Sequence, residues 1–123
     1  MTELIACLSS GEATRKHVAK LIDGETWDRV FLITNKTNMA EFSDSIEKNK
    51  LNIEFIVVDN EQFLPELIEE IRDILKDKII GTEVALNLIS GTGKDNMAIL
   101  SALLKLGFGI RLVALTKDGV REV

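Results

Sequence analysis

The stretch Glu83-Val84-Ala85-Leu86-Asn87-Leu88-Ile89-Ser90-Gly91-Thr92-Gly93-Lys94-Asp95-Asn96 decides the fold. Its first seven residues are apolar at all positions but Glu83 and Asn87. Such a run, without strict alternation, marks a strand covered on both faces. Ser90 to Gly93 then break the strand with small and hydroxyl-bearing residues. From Thr92 to Leu106 the chain reads as an apolar helix. A strand, a short glycine loop and a helix make up most of a βαβ unit.

The same alternation extends in both directions. Leu4 to Leu8, Arg29 to Thr34, Ile53 to Val58 and Ile110 to Thr116 read as further strands. Helices are predicted from Ser9 to Ile22, from Asn38 to about Lys48 and from Glu61 to Lys78. Val18, Leu21 and Ile22 form the inner stripe of the first; Met39, Phe42 and Ile46 form that of the second. In the third, Leu64, Leu67, Ile68, Ile71, Ile74 and Leu75 recur at spacings of three and four, which defines one face. Pro65 falls in the first turn of that helix, where a missing N–H costs little. Lys117-Asp118-Gly119 predicts a hairpin turn, with Val120 to Val123 returning as an edge strand. Right-handed crossovers between strands of this kind leave few topologies. The expected architecture is α/β: a single Rossmann-like three-layer sandwich over residues 1–123. Its mainly parallel sheet has order 3-2-1-4-5, with strand 6 antiparallel to strand 5.

Composition narrows the partners. Net charge is −5 over 123 residues. That disfavours long nucleic acid, whose affinity rests on Lys and Arg contacts to phosphates. There is no Tyr, one Trp and five Phe, too few for a broad base-stacking platform. No apolar run is long enough to span a bilayer, and the N-terminus lacks the basic region of a signal peptide. One cysteine, Cys7, cannot form an internal disulfide, so a cytoplasmic location is expected. One His and one Cys give no readable metal site, and no cofactor is expected. Gly93-Lys94 fails the P-loop pattern, because position 88 is Leu and position 95 is Asp. The first loop lacks the dinucleotide-binding glycines.

In such sheets, ligands bind at the carboxyl ends of the strands, at the switch point. That point lies here between strands 1 and 4. The candidate ligand-binding residues are therefore Ser9, Ser10 and Gly11 of the first loop, with Ser90, Gly91, Thr92, Gly93, Lys94 and Asn96 of the fourth. Thr34 and Asn35, on the same edge, join them. Both principal loops open a helix, whose free N–H groups favour anions, and Lys94 adds a full charge. A competing reading makes the loops simple caps: Ser9-x-x-Glu12 fits a capping box, and Thr92-x-x-Asp95 a looser one. Asn87 is expected to be a buried amide satisfied by backbone. Met97 to Leu106 is apolar nearly all round, so one face covers the sheet and the rest needs another cover. A homodimer through this helix is expected.

Asn87-Leu88-Ile89-Ser90-Gly91-Thr92-Gly93-Lys94-Asp95-Asn96-Met97 resembles the CRISPR-associated Rossmann fold (CARF) family, with an apolar strand, a Gly/Thr/Lys loop and a Met-containing apolar helix. The order of elements is similar over essentially the whole chain. Gly93, between Thr92 and Lys94, departs from the motif, as does Asp95 after the lysine. An acid suits a phosphate site only if it points away. The resemblance implies a dimer that binds a cyclic oligoadenylate second messenger across its two-fold axis, in CRISPR antiviral signalling. Family members usually carry an effector domain, and the Arg-x4-6-His signature of the usual ribonuclease partner is absent. A stand-alone form or a piece of a longer protein is expected. Stand-alone relatives include ring nucleases, which cleave the messenger without metal by attack of its own 2′-hydroxyl. The resemblance implies Ser10 as positioning residue and Lys94 as charge stabiliser, assisted by N–H groups near Gly11 and Gly93, with slow turnover if any. Two other classes stay open: a binder of another small phosphorylated ligand, and a non-enzymatic interaction module.

Overall fold

A computed structural model describes residues 2–43 and 52–123. In chain order the elements are β1 (Glu3–Cys7), α1 (Glu12–Asp23), β2 (Arg29–Thr34), α2 (Lys36–Ser43), β3 (Ile53–Val57), α3 (Leu64–Leu75), β4 (Glu83–Asn87), α4 (Gly93–Leu106), β5 (Gly109–Thr116) and β6 (Gly119–Glu122). They form one sheet of order β3-β2-β1-β4-β5-β6. All neighbours are parallel except β5 and β6. This is the expected topology, and the chain reverses its direction of travel across the sheet between β1 and β4.

The apolar strands bury both faces, as their composition requires. Leu4, Ala6 and Leu8 face α1 and α2 with Val30, Leu32, Trp27 and Phe42. Ile5, Cys7, Phe31, Ile33, Val84 and Leu86 face the other way, against Leu67, Ile71 and Leu75 of α3 and Ala98, Ile99, Ala102 and Leu103 of α4. Adjacent residues of one strand serve opposite layers, which is the period of two made visible. Pro65 stands in the first turn of α3, as expected.

Three helix starts differ from the sequence reading by two or more residues. The first helix begins at Glu12 rather than Ser9, because Gly11 takes φ 110 and ψ 143, outside any helical region. The second begins at Lys36 rather than Asn38, because Asn35 Oδ1 accepts from the Asn38 N–H at 2.9 Å and organises the turn earlier. Ile46 and Lys48, expected in this helix, lie outside the described residues. The third begins at Leu64 rather than Glu61, after the extended Phe63 (φ −63, ψ 155). Residues 59–63 therefore form a loop along the carboxyl edge of the sheet.

Candidate functional site

The candidate site is the switch point of the sheet, where the paired strands β1 and β4 end side by side. A Cβ placed on Gly91 would lie 2.7 Å from Cys7 Sγ and 2.8 Å from Cys7 Cβ. The β4–α4 loop thus rests directly on the last residue of β1, and Gly91, at φ 93, makes the turn that permits it. Three side chains brace this edge. Thr34 Oγ1 donates to the Leu8 carbonyl at 2.8 Å, tying β2 to the first loop. Asn96 Nδ2 donates to the Leu88 and Ser90 carbonyls at 2.9 and 3.0 Å. Asn87, fully buried, donates to the Val113 carbonyl at 2.9 Å, and its Oδ1 accepts from Ile89 N at 3.3 Å and Ser90 Oγ at 3.5 Å. Asn87 is the backbone-satisfied amide that its lone polarity in an apolar strand predicts.

The candidate residues divide by exposure. Ser10, Gly11, Thr92, Gly93 and Lys94 are exposed; Ser9, Asn35, Gly91 and Asn96 are half-buried; Thr34 and Ser90 are buried. The two capping readings also divide. No side chain caps α1, so Ser9 is free of the capping box, and Glu12 pairs instead with Lys16 at 3.2 Å. Thr92 does cap α4, accepting from Asp95 N at 3.1 Å. The first loop therefore presents its hydroxyls unspent, while the fourth uses Thr92 to order the helix start behind Gly93 and Lys94.

Asp95 turns inward. It is buried with its carboxylate against Cys7, and both line a small chamber with Thr34 and Asn60. The acid is thus buried, whereas Lys94 beside it in sequence is exposed. Burial pushes the Cys7 thiol up to about 12, and the Asp95 charge and a hydrogen bond to its carboxylate add to the shift. The thiolate is the reactive form. Cys7 should therefore resist Ellman's reagent at pH 8 in the folded protein and react fully in denaturant. Rapid labelling of the native chain would contradict the buried thiol–carboxylate pair.

Lys94 makes a contact that sequence reading missed. Its ammonium donates to the Asn60 carbonyl at 3.0 Å and to the Gln62 carbonyl. Both acceptors lie in the β3–α3 loop, so the side chain spans from α4 to the loop before α3. The same loop is fastened by Glu70, whose Oε1 accepts from Asp59 N at 3.1 Å and Gln62 Nε2 at 2.7 Å. Asn35 Nδ2 reaches Asn60 Oδ1 at 3.5 Å. An open groove of about 460 Å3 lies between the loops after β2 and β3. The one sequence signal for this region is the Asp59-Asn60 pair that follows an apolar strand. Among the described residues, no group of three His, Cys, Asp or Glu side chains is placed to hold a metal ion, and no helix is long and apolar enough to cross a membrane.

The sheet order and the loops at its switch point define a Rossmann-like α/β domain. No protein-family model matches the sequence, and no curated protein matches it. Among solved structures, the fold is similar to that of Can2 from Sulfobacillus thermosulfidooxidans in complex with cyclic tetra-adenylate (cA4). The TM-score is 0.65 at 14% identity, over 98% of this chain and 34% of that one. This chain thus spans about a third of the length of the Can2 chain.

Proposed function

We propose that this domain binds a cyclic oligoadenylate, as a homodimer, in CRISPR antiviral signalling. The observation that carries the reading is that the loops after β1 and β4 meet, with Gly91 seated on Cys7. The first loop, with unspent Ser9 and Ser10 hydroxyls, and the amino end of α4, with Gly93 and Lys94, stand on the adjacent strands β1 and β4. Helix-end N–H groups and one ammonium suit phosphodiester oxygens. Support comes from the fold likeness to a protein solved with cA4 and from the CARF resemblance of residues 87–97.

The second copy would cover α4. Its inner face is buried, but Met97 and Leu104, seven residues apart on one side, are 60% and 62% exposed, and Ile89 of the β4–α4 loop is 63% exposed. Isologous pairing there would set two switch points side by side about a two-fold axis, matching a cyclic ligand of repeating units. In this reading Ser10 orients a phosphate and Lys94 balances its charge. The finer form of the proposal is slow metal-independent cleavage: the ligand's 2′-oxygen attacks the adjacent phosphorus and gives its proton to water, the P–O5′ bond breaks, and the products are a 2′,3′-cyclic phosphate and a 5′-hydroxyl that takes its proton from water.

Thermal unfolding with cyclic tetra- and hexa-adenylate is the test, run beside sedimentation at micromolar protein. A ligand at about 100 times its Kd adds roughly 2.7 kcal/mol, so one ring size should raise the midpoint by several degrees on a sedimenting dimer. Recovery of intact or linear product after long incubation separates binding from cleavage. A midpoint unmoved by either ring, yet raised by another phosphorylated nucleotide, would replace this reading with the second ligand class.

A further inference from the structure

Lys94 carries its charge on a long side chain, yet the ammonium is held at two points, the carbonyls of Asn60 and Gln62. An ammonium has three N–H donors. Two bonds to the strap 59–62 therefore leave the third for another acceptor. Both acceptors in the strap are neutral carbonyls, which orient an ammonium without cancelling its charge as a carboxylate would.

The strap is itself held from α3. Glu70 Oε1 accepts from Asp59 N at 3.1 Å and from Gln62 Nε2 at 2.7 Å. These bonds flank Asn60. Gln62 is bound at both ends, its side chain by Glu70 and its carbonyl by Lys94. Within the strap, Asp59 Oδ1 accepts from Glu61 N at 3.1 Å, which shapes the turn but does not place it on a helix. The contact from Asn35 to Asn60, at 3.5 Å, is at the limit of a hydrogen bond. Glu70 is thus the firm tie between the strap and α3. Leu67 and Ile71 of α3 share a core with Ala98 and Ile99 of α4, the helix that carries Lys94. Where the two carbonyls stand relative to α4 accordingly depends on Glu70.

We infer that Glu70 is a positioning residue for phosphate binding at Lys94. The inference rests on the proposed cyclic oligoadenylate reading and adds to it a residue outside the two loops of the switch point. Glu70 fixes the strap, the strap engages two N–H groups of the ammonium, and the third is left for a phosphodiester oxygen. A loose lysine side chain gives up rotamer freedom when it binds. Here that order is imposed beforehand, so the ligand meets an ammonium already in place. The charge of Glu70 itself opposes a phosphate; its contribution comes through geometry, and a neutral acceptor of the same shape should serve as well.

Calorimetric titration with cyclic tetra-adenylate tests this in a double-mutant cycle of Glu70→Ala and Lys94→Ala. Ordering a long side chain on binding costs about fivefold in affinity. Glu70→Ala should weaken binding by about that factor when Lys94 is present, and by less than about twofold when Lys94 is already Ala. A residue that served only the fold would cost the same in both backgrounds. Glu70→Gln keeps an acceptor oxygen without the charge and should bind within about twofold of the parent. Gln62→Ala removes one of the two strap bonds and leaves α3 untouched. It should repeat the pattern of Glu70→Ala in smaller measure, and it decides the matter if Glu70→Ala does not fold. Without ligand, trace acetylation read by mass spectrometry should modify Lys94 faster in Glu70→Ala than in the parent, with exposed Lys117 as the unchanged reference. Affinity of Glu70→Ala within about twofold of the parent, an equal loss in both backgrounds, or an unchanged Lys94 acetylation rate would overturn the inference. Failure of the parent chain to bind cyclic tetra-adenylate would instead overturn the functional reading beneath it, and that is seen before any variant is compared.

Discussion

Gly91→Ala should destabilise the fold by about 2 to 6 kcal/mol, measured as a lower midpoint in urea with an unchanged slope. Two costs act together. At φ 93, a residue with a Cβ is strained by roughly 1 to 3 kcal/mol. The new methyl would also stand 2.7 Å from Cys7 Sγ and 2.8 Å from its Cβ. Cys7 cannot step aside, because β1 is hydrogen-bonded to β2 on one side and β4 on the other. Overpacking of that kind costs about 1 to 3 kcal/mol. The sum is a large share of the roughly 5 to 15 kcal/mol that holds a domain folded. Gly93→Ala is the control within the same loop. A Cβ there meets nothing within 4 Å, and the position is the first of α4, where Ala is favoured over Gly. It should be neutral or slightly stabilising. Equal stability of the two variants would mean that the β4–α4 loop is not seated on β1.

That contrast bears on what the sequence makes legible. Gly91 and Gly93 are indistinguishable as letters in a glycine loop, and only the packing of β4 against β1 separates them. The sheet order was readable because Leu4 to Leu8 and Val30 to Ile33 are apolar on successive residues, which admits only a sheet covered on both faces. The helix starts were less readable. Ser9 and Glu12 carry a capping pattern, but the Gly11 dihedral overrides it; Asn35, read as a ligand contact, also proves to be a helix cap. Side-chain patterns report which bonds are available, whereas backbone dihedrals decide which are made. That the loops after β1 and β4 lie side by side followed from the topology. The reach of Lys94 to Asn60 and Gln62 was not readable, because those partners lie more than thirty residues away and meet it only through the packing of α3 beside α4. The inward turn of Asp95 onto Cys7 is of the same kind. Its carboxylate finds a thiol donor at the end of β1 that no local pattern announces.

If the domain binds cyclic oligoadenylate as proposed, Lys94→Glu should abolish the stabilisation by that ligand, with affinity falling by about 100-fold or more. The ammonium stands at the amino end of α4, where the helix already favours an anion. Replacing it with a carboxylate removes an attraction to phosphate and installs a repulsion. At about 4 Å and an effective dielectric constant near 20, each is worth up to roughly 4 kcal/mol before screening. Salt reduces these figures at an exposed site, which still leaves more than the roughly 2.7 kcal/mol that separates hundredfold affinities. The fold should survive, because the bonds from Lys94 to the strap are exposed and surface contacts of this kind contribute at most about 1 kcal/mol. Three substitutions grade the effect. Lys94→Arg keeps the charge and should retain most binding; Lys94→Ala should lose about tenfold; Lys94→Glu should lose the most. Titration at low and high salt adds a second axis: the parent should weaken as salt rises, and Lys94→Ala should weaken less steeply, having one fewer charge to screen. A ligand that binds Lys94→Glu as tightly as the parent does not use this site. The amino end of α4 would then serve only to order its own helix through Thr92, and the exposed face of Met97 and Leu104 would become the surface through which the domain acts.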